Sequence, residues 1–297
     1  MSILSLRGKN ISERSLELNV LSEALEYIRK LLGKAYIVGY TARQEARHGL
    51  DVSINAPGII IAAYQFKAPR SGRKYIYRFT IGDRCWVCSN PRLGSQRHPY
   101  REIIKILKKY KKYKLPDTCV NQHVLLYAAA TVLENKVGTP IYYAFPLVRN
   151  YTELEKRMPG ILDYTVLIRV RVMPIWTVLD CKPHHVEIVL PANNPHNITV
   201  KIRSRYKKLP KGKYALFSEV LKRPINIENL PRARQAIHLN PEELQQILKK
   251  ELEGRTREED LEPELIERVP LLAKAITMTS FSYQGTTIVS KRRESKH

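Results

Sequence analysis

The sequence contains few cysteines, no long apolar run and a deficit of acidic side chains. Four cysteines among 297 residues are too few for a disulfide framework, which indicates a reducing compartment. The longest apolar runs, such as Pro57 to Phe66, are far too short to cross a bilayer. The N-terminus lacks the charged and then apolar pattern of a secretory signal. These absences predict a cytoplasmic protein without a membrane partner.

The acidic deficit leaves a large positive charge. Lys and Arg number 51 against 28 Asp and Glu, which gives a formal net charge of +23. Such a surplus opposes compaction by self-repulsion, so it favours a polyanionic partner, and a nucleic-acid phosphate backbone is the expected one. Two alternatives compete with a nucleic-acid partner: nonspecific attraction to ribosomes, and the Lys/Arg/Glu-rich surfaces of thermophile proteins.

The first long helix is predicted from Asn10 to Leu32. Asn10 would cap it, Glu13 would complete a capping box, and Gly33 would end it. Glu17 precedes Leu21 by one helical turn and therefore lies on the apolar stripe. A carboxylate facing a core is costly unless it is paired or binds a metal. If the stripe is shifted by one position, Glu17 is an ordinary surface residue.

The remaining pattern predicts an α/β fold with a mixed sheet. Strands are predicted at 50–55, 59–67, 75–81, 140–145 and 164–172, and helices at 100–113, 117–134 and 241–253, with a final strand at 280–290. The order is helix, three strands, helices and a strand. A composition shift predicts a core over residues 1–175 and a basic C-terminal extension over 176–297, which would grip a substrate or serve assembly.

Three polar residues are predicted to share one face of two adjacent strands. Gln65 and Lys67 are two residues apart and point the same way, and Asp51 lies on the polar face of the preceding strand. An antiparallel pair in a suitable register would bring all three together. The simpler alternatives are a solvated Asp51 near a turn, and a strand end at which Gln65 and Lys67 reach solvent.

Two carboxylates, an amide oxygen and a lysine suit a hard cation such as Mg²⁺ or Mn²⁺. The lysine would assist an attacking water or stabilise charge on phosphoryl oxygens. Asp51, Gln65 and Glu17 are the candidate ligands, and Glu45 is a further candidate in a polar segment that is more often a plain loop.

Gly49-Leu50-Asp51 followed by Gln65-Phe66-Lys67 resembles the PD-(D/E)XK restriction-endonuclease-like superfamily, and more narrowly its Mrr-like Asp…Gln-x-Lys variant. The resemblance implies a core of helix, three strands, helix and strand over about half of the chain. It also implies Mg²⁺-dependent phosphodiester hydrolysis, with Asp51, Gln65, Lys67 and Glu17 as catalytic residues and DNA rather than RNA as substrate. Gln122-His123 loosely resembles the later Gln motif of the RecB-like branch and would lie behind the ligands.

Gln65 departs from the acidic form of the motif, because it offers one neutral oxygen where a glutamate brings a full charge. The alternative function is therefore a noncatalytic nucleic-acid-binding or assembly protein on the same fold. A homodimer is common for such cores, but no interface is predicted. Phosphate contacts are expected from two basic runs that could also be solvated faces: Lys105, Lys108, Lys109 and Lys112; and Lys201, Arg203, Arg205, Lys207 and Lys208.

One motif points to a third class of protein. Cys85-Trp86-Val87-Cys88 is a Cys-x-x-Cys pair without the second close pair that a structural zinc site usually needs. A zinc-stabilised adaptor would contain stoichiometric zinc and lose it on Cys85→Ser.

Overall fold

The computed structural model describes residues 10–40, 50–57, 59–70, 74–82, 121–180, 183–191, 197–205, 207–223, 241–259, 261, 263–266, 269–270 and 273. Several predictions lie outside these residues. They are the basic helix 100–113 with Lys105, Lys108, Lys109 and Lys112, the candidate ligand Glu45, the Cys85/Cys88 pair and the final strand 280–290.

The described residues contain both helices and strands, in groups along the chain. The helices are α1 (Glu13–Leu32), α2 (Gln122–Val137), α3 (Tyr151–Arg157), α4 (Ile175–Leu179), α5 (Phe217–Lys222), α6 (Pro241–Glu258) and α7 (Pro263–Ile266). The strands are β1 (Tyr36–Gly39), β2 (Val52–Ala56), β3 (Ile59–Phe66), β4 (Ile76–Ile81), β5 (Ile141–Pro146), β6 (Thr165–Arg169), β7 (His184–Val189), β8 (Thr199–Ile202), β9 (Lys207–Lys208) and β10 (Tyr214–Leu216). Short 3-10 turns cover Ile161–Tyr164, Val170–Val172 and Arg203–Arg205.

Six strands form a mixed sheet in the order β1-β2-β3-β5-β6-β10. β3 and β5 run parallel, and the other neighbours run antiparallel. The α/β class with a mixed sheet is therefore confirmed. β1 was not predicted, because it is four residues long and largely exposed, so it has no alternating apolar face.

A second sheet contains β4-β7-β8-β9, and it corrects one expectation. The predicted third strand, 75–81, exists as β4, but it pairs with β7 and does not join β2 and β3. The run after the Pro69-Arg70-Ser71-Gly72 turn predicted the strand without predicting its partner, because the pairing is set by contacts distant in sequence. Two strand pairs, β4–β7 and β6–β10, each join a strand before residue 175 to a strand after it. A domain boundary at this residue stays a prediction.

Helix α1 covers one face of the large sheet. Its buried residues pack in one cluster with side chains of β2 and β3, and they include Leu16, Val20, Leu21, Ala24 and Ile28. Gly33 ends the helix as predicted, with its N–H bonded to the Arg29 carbonyl. The predicted Asn10 cap is wrong. Ser12 caps the helix by accepting the N–H of Ser15 at 3.0 Å, so Glu13 is not part of a capping box with Asn10.

Helices α2 and α6 lie in the other apolar cluster, together with residues of β5 and of the second sheet. Asn121 caps α2, so this helix starts later than the predicted residue 117. Glu251 connects α6 to the turn after β6, because its Oε2 lies 2.7 Å from Nη2 of Arg171. Within the described ranges, no helix has the length and apolarity needed to cross a membrane.

Candidate active site

The antiparallel pairing of β2 and β3 brings Asp51 against Gln65. Val52 is the register partner of Tyr64, so Asp51, which precedes β2, faces the next residue of β3. Asp51 Oδ2 accepts hydrogen bonds from Gln65 Nε2 at 2.7 Å and from the Phe66 backbone N–H at 2.8 Å. Two residues of the sequence motif are therefore in direct contact.

Lys67 joins the same cluster through Gln122, the first residue of α2. Lys67 Nζ donates to Gln122 Oε1 at 3.1 Å, and Gln122 Nε2 donates to Gln65 Oε1 at 3.2 Å. The cluster is thus a continuous line of hydrogen bonds from Lys67 to Asp51. We refer to Asp51, Gln65, Gln122 and Lys67 as the amide line.

Two members of the amide line, Gln65 and Lys67, are buried, whereas Asp51 and Gln122 are partly exposed. Gln65 has no exposed surface and Lys67 has 7%. Polar groups at this depth are costly unless they have partners, and a lysine is rarely buried without one. The hydrogen bonds of Gln65 and Lys67 explain how an apolar strand can end in two buried polar side chains.

Glu13 is a residue of this site that sequence reasoning missed. Its Oε2 accepts the backbone N–H of Ala68 at 3.1 Å, and its Oε1 lies 4.0 Å from Lys67 Nζ. The carboxylate therefore lies beside the lysine at the end of β3. The sequence contained an indication of this role, since Glu13 precedes Glu17 by one turn on the same helix face. Glu13 was instead assigned to the capping box with Asn10.

Glu17 is buried, as its place on the apolar stripe predicted, with 5% of its surface exposed. Its carboxylate forms an ion pair and hydrogen bond with Arg14. Burial raises the pKa of Glu17, and the Arg14 hydrogen bond and charge oppose that rise. Among the hydrogen bonds of the described residues, none links Glu17 to the amide line, so Glu13 is the helix carboxylate in contact with it.

Asp51 and its neighbours offer few ligands, but of the right kind, to a hard divalent cation. In the part of the chain that the structure describes, no three His, Cys, Asp or Glu side chains are grouped to hold a metal. Asp51 Oδ2 and the Phe66 carbonyl oxygen lie 2.7 and 3.3 Å from Gln65 Nε2, so two oxygens converge on one nitrogen. A half turn of the Gln65 amide would replace that nitrogen with an oxygen. Carboxylate, amide and carbonyl oxygens are the donors that Mg²⁺ takes, so the donor chemistry fits.

His123 lies in a different polar chain from its neighbour Gln122. Its ring nitrogens lie 2.9 Å from the Tyr143 hydroxyl and 2.9 Å from Thr177 Oγ1. Complete burial, with a smaller contribution from the charge of His184, lowers the pKa of His123 to about 3. The ring is therefore neutral at physiological pH. Of the predicted pair Gln122-His123, Gln122 belongs to the amide line, and the described hydrogen bonds of the His123 ring lead to Tyr143 and Thr177.

The C-terminal basic run forms the edge of the second sheet. Lys201 pairs with Lys208 and Ile202 with Lys207 across β8 and β9. Lys207 and Lys208 are exposed, and Arg205 lies 5.1 Å from the Trp176 ring centroid. We call Lys201, Arg203, Arg205, Lys207 and Lys208 the basic edge. Glu187, 3.8 Å from Arg203, partly offsets its charge.

Comparison of the chain with protein-family models finds no match, and comparisons with curated proteins and with solved structures find none. Function is therefore inferred from the side chains described above.

Proposed function

We propose that this protein is a Mg²⁺-dependent DNA nuclease that hydrolyses phosphodiester bonds, with a restriction-endonuclease-like core. The observation that carries the proposal is that one continuous line of hydrogen bonds, passing through Gln122, joins Asp51 to the buried Gln65 and Lys67. The element order supports it. Among the described elements, a helix, the three strands β1 to β3, helix α2 and strand β5 come in this order, if β4 is treated as an insertion into the second sheet.

Asp51 and Gln65 would hold the Mg²⁺ or Mn²⁺ ion, and Glu13 or Glu17 would supply further negative charge nearby. When bound, such an ion polarises a phosphoryl oxygen as a Lewis acid. Lys67 presents a cationic N–H donor 4.0 Å from the Glu13 carboxylate, where it would stabilise negative charge developing on the phosphate. Its near-complete burial strengthens that effect, because fewer water molecules screen the charge.

The basic edge would bind the DNA backbone outside the reacting phosphate. Its exposed lysines can neutralise phosphates and release counterions, a contribution that is independent of base sequence. DNA is preferred to RNA here on the resemblance to the Mrr-like variant. Restriction, repair and mobile-element defence are all compatible settings.

The proposal is tested by Mg²⁺-dependent cleavage of linear and circular DNA by the wild type and by Lys67→Ala. We expect cleavage by the wild type and a loss of at least about a hundredfold in the variant. Lys30→Ala is the matched control, because Lys30 is an exposed lysine in the last turn of α1. Equal cleavage by the wild type and Lys67→Ala would refute the assignment.

A noncatalytic nucleic-acid-binding or assembly role on the same fold is the second candidate. It is favoured by the 2.7 Å hydrogen bond between Gln65 and Asp51, which satisfies the carboxylate with a neutral donor from the protein itself. In this case the wild type binds DNA and cleaves none in Mg²⁺ or Mn²⁺. Binding that Lys67→Ala leaves unchanged, without cleavage by either protein, would decide for this candidate.

A further inference from the structure

We propose that Gln65 and Gln122 form a coupled pair of amides through which cation binding at Asp51 releases Lys67. The inference rests on the proposed function, because it assigns a regulatory device to the same site. Gln122 is a positioning residue in this scheme: it acts through Gln65 and Lys67.

The direction of every hydrogen bond in the amide line follows from its two ends. A lysine ammonium can only donate and an ionised carboxylate can only accept. Gln122 must therefore turn its oxygen to Lys67, at 3.1 Å, and its nitrogen to Gln65. Gln65 in turn receives that bond on its oxygen, at 3.2 Å, and donates to Asp51 at 2.7 Å. The orientation of both amides is thus fixed by the charged residues at the ends.

A cation that binds both Asp51 and Gln65 requires the opposite orientation of Gln65. A half turn brings the Gln65 oxygen toward Asp51 and sets its nitrogen against the nitrogen of Gln122. Gln122 relieves that conflict by turning as well, and its nitrogen then faces Lys67, donor against donor. Lys67 is only 7% exposed, so water compensates poorly for the mismatch on the lysine side, while Gln122 is partly exposed.

The cation and the Lys67–Gln122 hydrogen bond therefore exclude one another. Lys67 is held on Gln122 while the carboxylate has no ion, and its Nζ becomes free to approach a phosphate once the ion has bound. Glu13, whose Oε1 lies 4.0 Å from Nζ, is the neighbouring acceptor that can steer the released ammonium. The arrangement would hold back the lysine until the site is loaded.

Electrostatic repulsion between the ion and Lys67 would also make cation binding and the lysine oppose each other. The test must therefore separate repulsion from the coupling through the amides. Repulsion through space does not need Gln122, whereas the amide mechanism does. A double-mutant cycle makes this distinction. Lys67→Met and Gln122→Met each remove hydrogen bonding while nearly preserving side-chain length.

The measured quantity is the Kd of Mn²⁺, obtained by electron paramagnetic resonance for the wild type, both single variants and the double variant. In the wild-type background, we expect Lys67→Met to lower the Kd of Mn²⁺ by about tenfold. In the Gln122→Met background, the same substitution should lower Kd by a factor at least about three times smaller. Equal factors in both backgrounds would overturn the coupling and leave the proposed function standing. Absence of Mn²⁺ binding in all four proteins would overturn both.

A second measurement follows the amides directly and also shows that each variant is folded. In ¹⁵N-glutamine-labelled wild type, the side-chain NH₂ signals of Gln65 and Gln122 are expected to shift in a single transition as Mg²⁺ is added. In Lys67→Met both signals should still shift, at lower Mg²⁺ concentration. A shift of the Gln65 signal alone would contradict the paired motion.

Discussion

Glu13 Oε2 accepts the backbone N–H of Ala68 at 3.1 Å and so joins the first turn of α1 to the end of β3. The same carboxylate lies 4.0 Å from Lys67 Nζ through its other oxygen. One side chain thereby holds the strand end in place and puts a negative charge beside the buried lysine. Glu23, further along α1, also accepts backbone N–H groups, those of Gly160 and Ile161.

Glu13→Gln is expected to lower Mg²⁺-dependent DNA cleavage by about tenfold or more, because it removes the charge next to Lys67 while keeping an oxygen for Ala68. Initial rates of cleavage at saturating Mg²⁺ measure the effect. Glu23→Gln is the matched control, since it makes the same change in an α1 carboxylate that binds backbone N–H groups elsewhere. A larger loss in Glu17→Gln than in Glu13→Gln would show that Glu17 supplies the functional carboxylate.

Gln65→Glu should make the stability of the protein depend on divalent cations. The substitution sets a second carboxylate at the position where Gln65 Nε2 now lies 2.7 Å from Asp51 Oδ2, so repulsion replaces a hydrogen bond. We expect a loss of about 1–3 kcal/mol in the free energy of unfolding in chelator, largely recovered in Mg²⁺ or Mn²⁺. Thermal and urea unfolding with and without the ion measure it.

Gln65→Met is the control for that experiment, because it removes the hydrogen bonds without adding charge. It should be destabilised whether or not the cation is present. If divalent cations leave the unfolding of Gln65→Glu unchanged, the side chains of residues 51 and 65 do not share an ion.

His123 should make the protein less stable in acid. Burial lowers its pKa from 6.5 to about 3, so between these values the unfolded chain binds a proton that the folded protein does not. Stability from this residue is complete above pH 6.5 and is lost as pH falls toward 3, with a slope of up to about 1.4 kcal/mol per pH unit. Urea unfolding at a series of pH values gives the slope.

His123→Gln keeps the capacity for hydrogen bonds to Tyr143 and Thr177 but does not titrate. Its stability should therefore fall less steeply with decreasing pH than that of the wild type. Parallel pH profiles for the two proteins would mean that His123 is not the group responsible.

Lys207 and Lys208 should contribute to DNA affinity without affecting base preference. The double substitution to alanine is expected to reduce the slope of log K against log salt by up to about 2, because each phosphate contact contributes about 0.9. Fluorescence anisotropy with labelled duplexes at several salt concentrations measures the slope. Replacing Lys30 and Lys34, two exposed lysines at the end of α1, is the control for net charge. Equal slopes for the two double variants would show that the basic edge does not bind DNA.

Much of the local structure was predictable from residue patterns. The helical stripe of α1, the strand-like run of β4 and the apolar run of β3 are local patterns. Each of them can be read from one segment of the sequence without knowing its neighbours in space. Asp51 and Gln65 were also predictable as neighbours, because the Ala56-Pro57-Gly58 turn signal favours a hairpin whose strands lie side by side. The position of β1 was not predictable, since a short exposed edge strand has little apolar pattern.

The composition and short-range order of this chain therefore determined its α/β class, the face shared by Asp51 and Gln65, and its basic character. Tertiary structure alone decided that Glu13 joins the site, and it set Gln122, which the sequence had placed behind the ligands, in contact with Lys67. Glu13 and Gln122 meet the end of β3 from helices 55 residues away in each direction, at Ala68 and Lys67. Tertiary structure also decided that β4 leaves the large sheet for β7. Local periodicity determines the face of a helix or strand on which a side chain lies. Packing between elements distant in sequence determines which residues that side chain contacts.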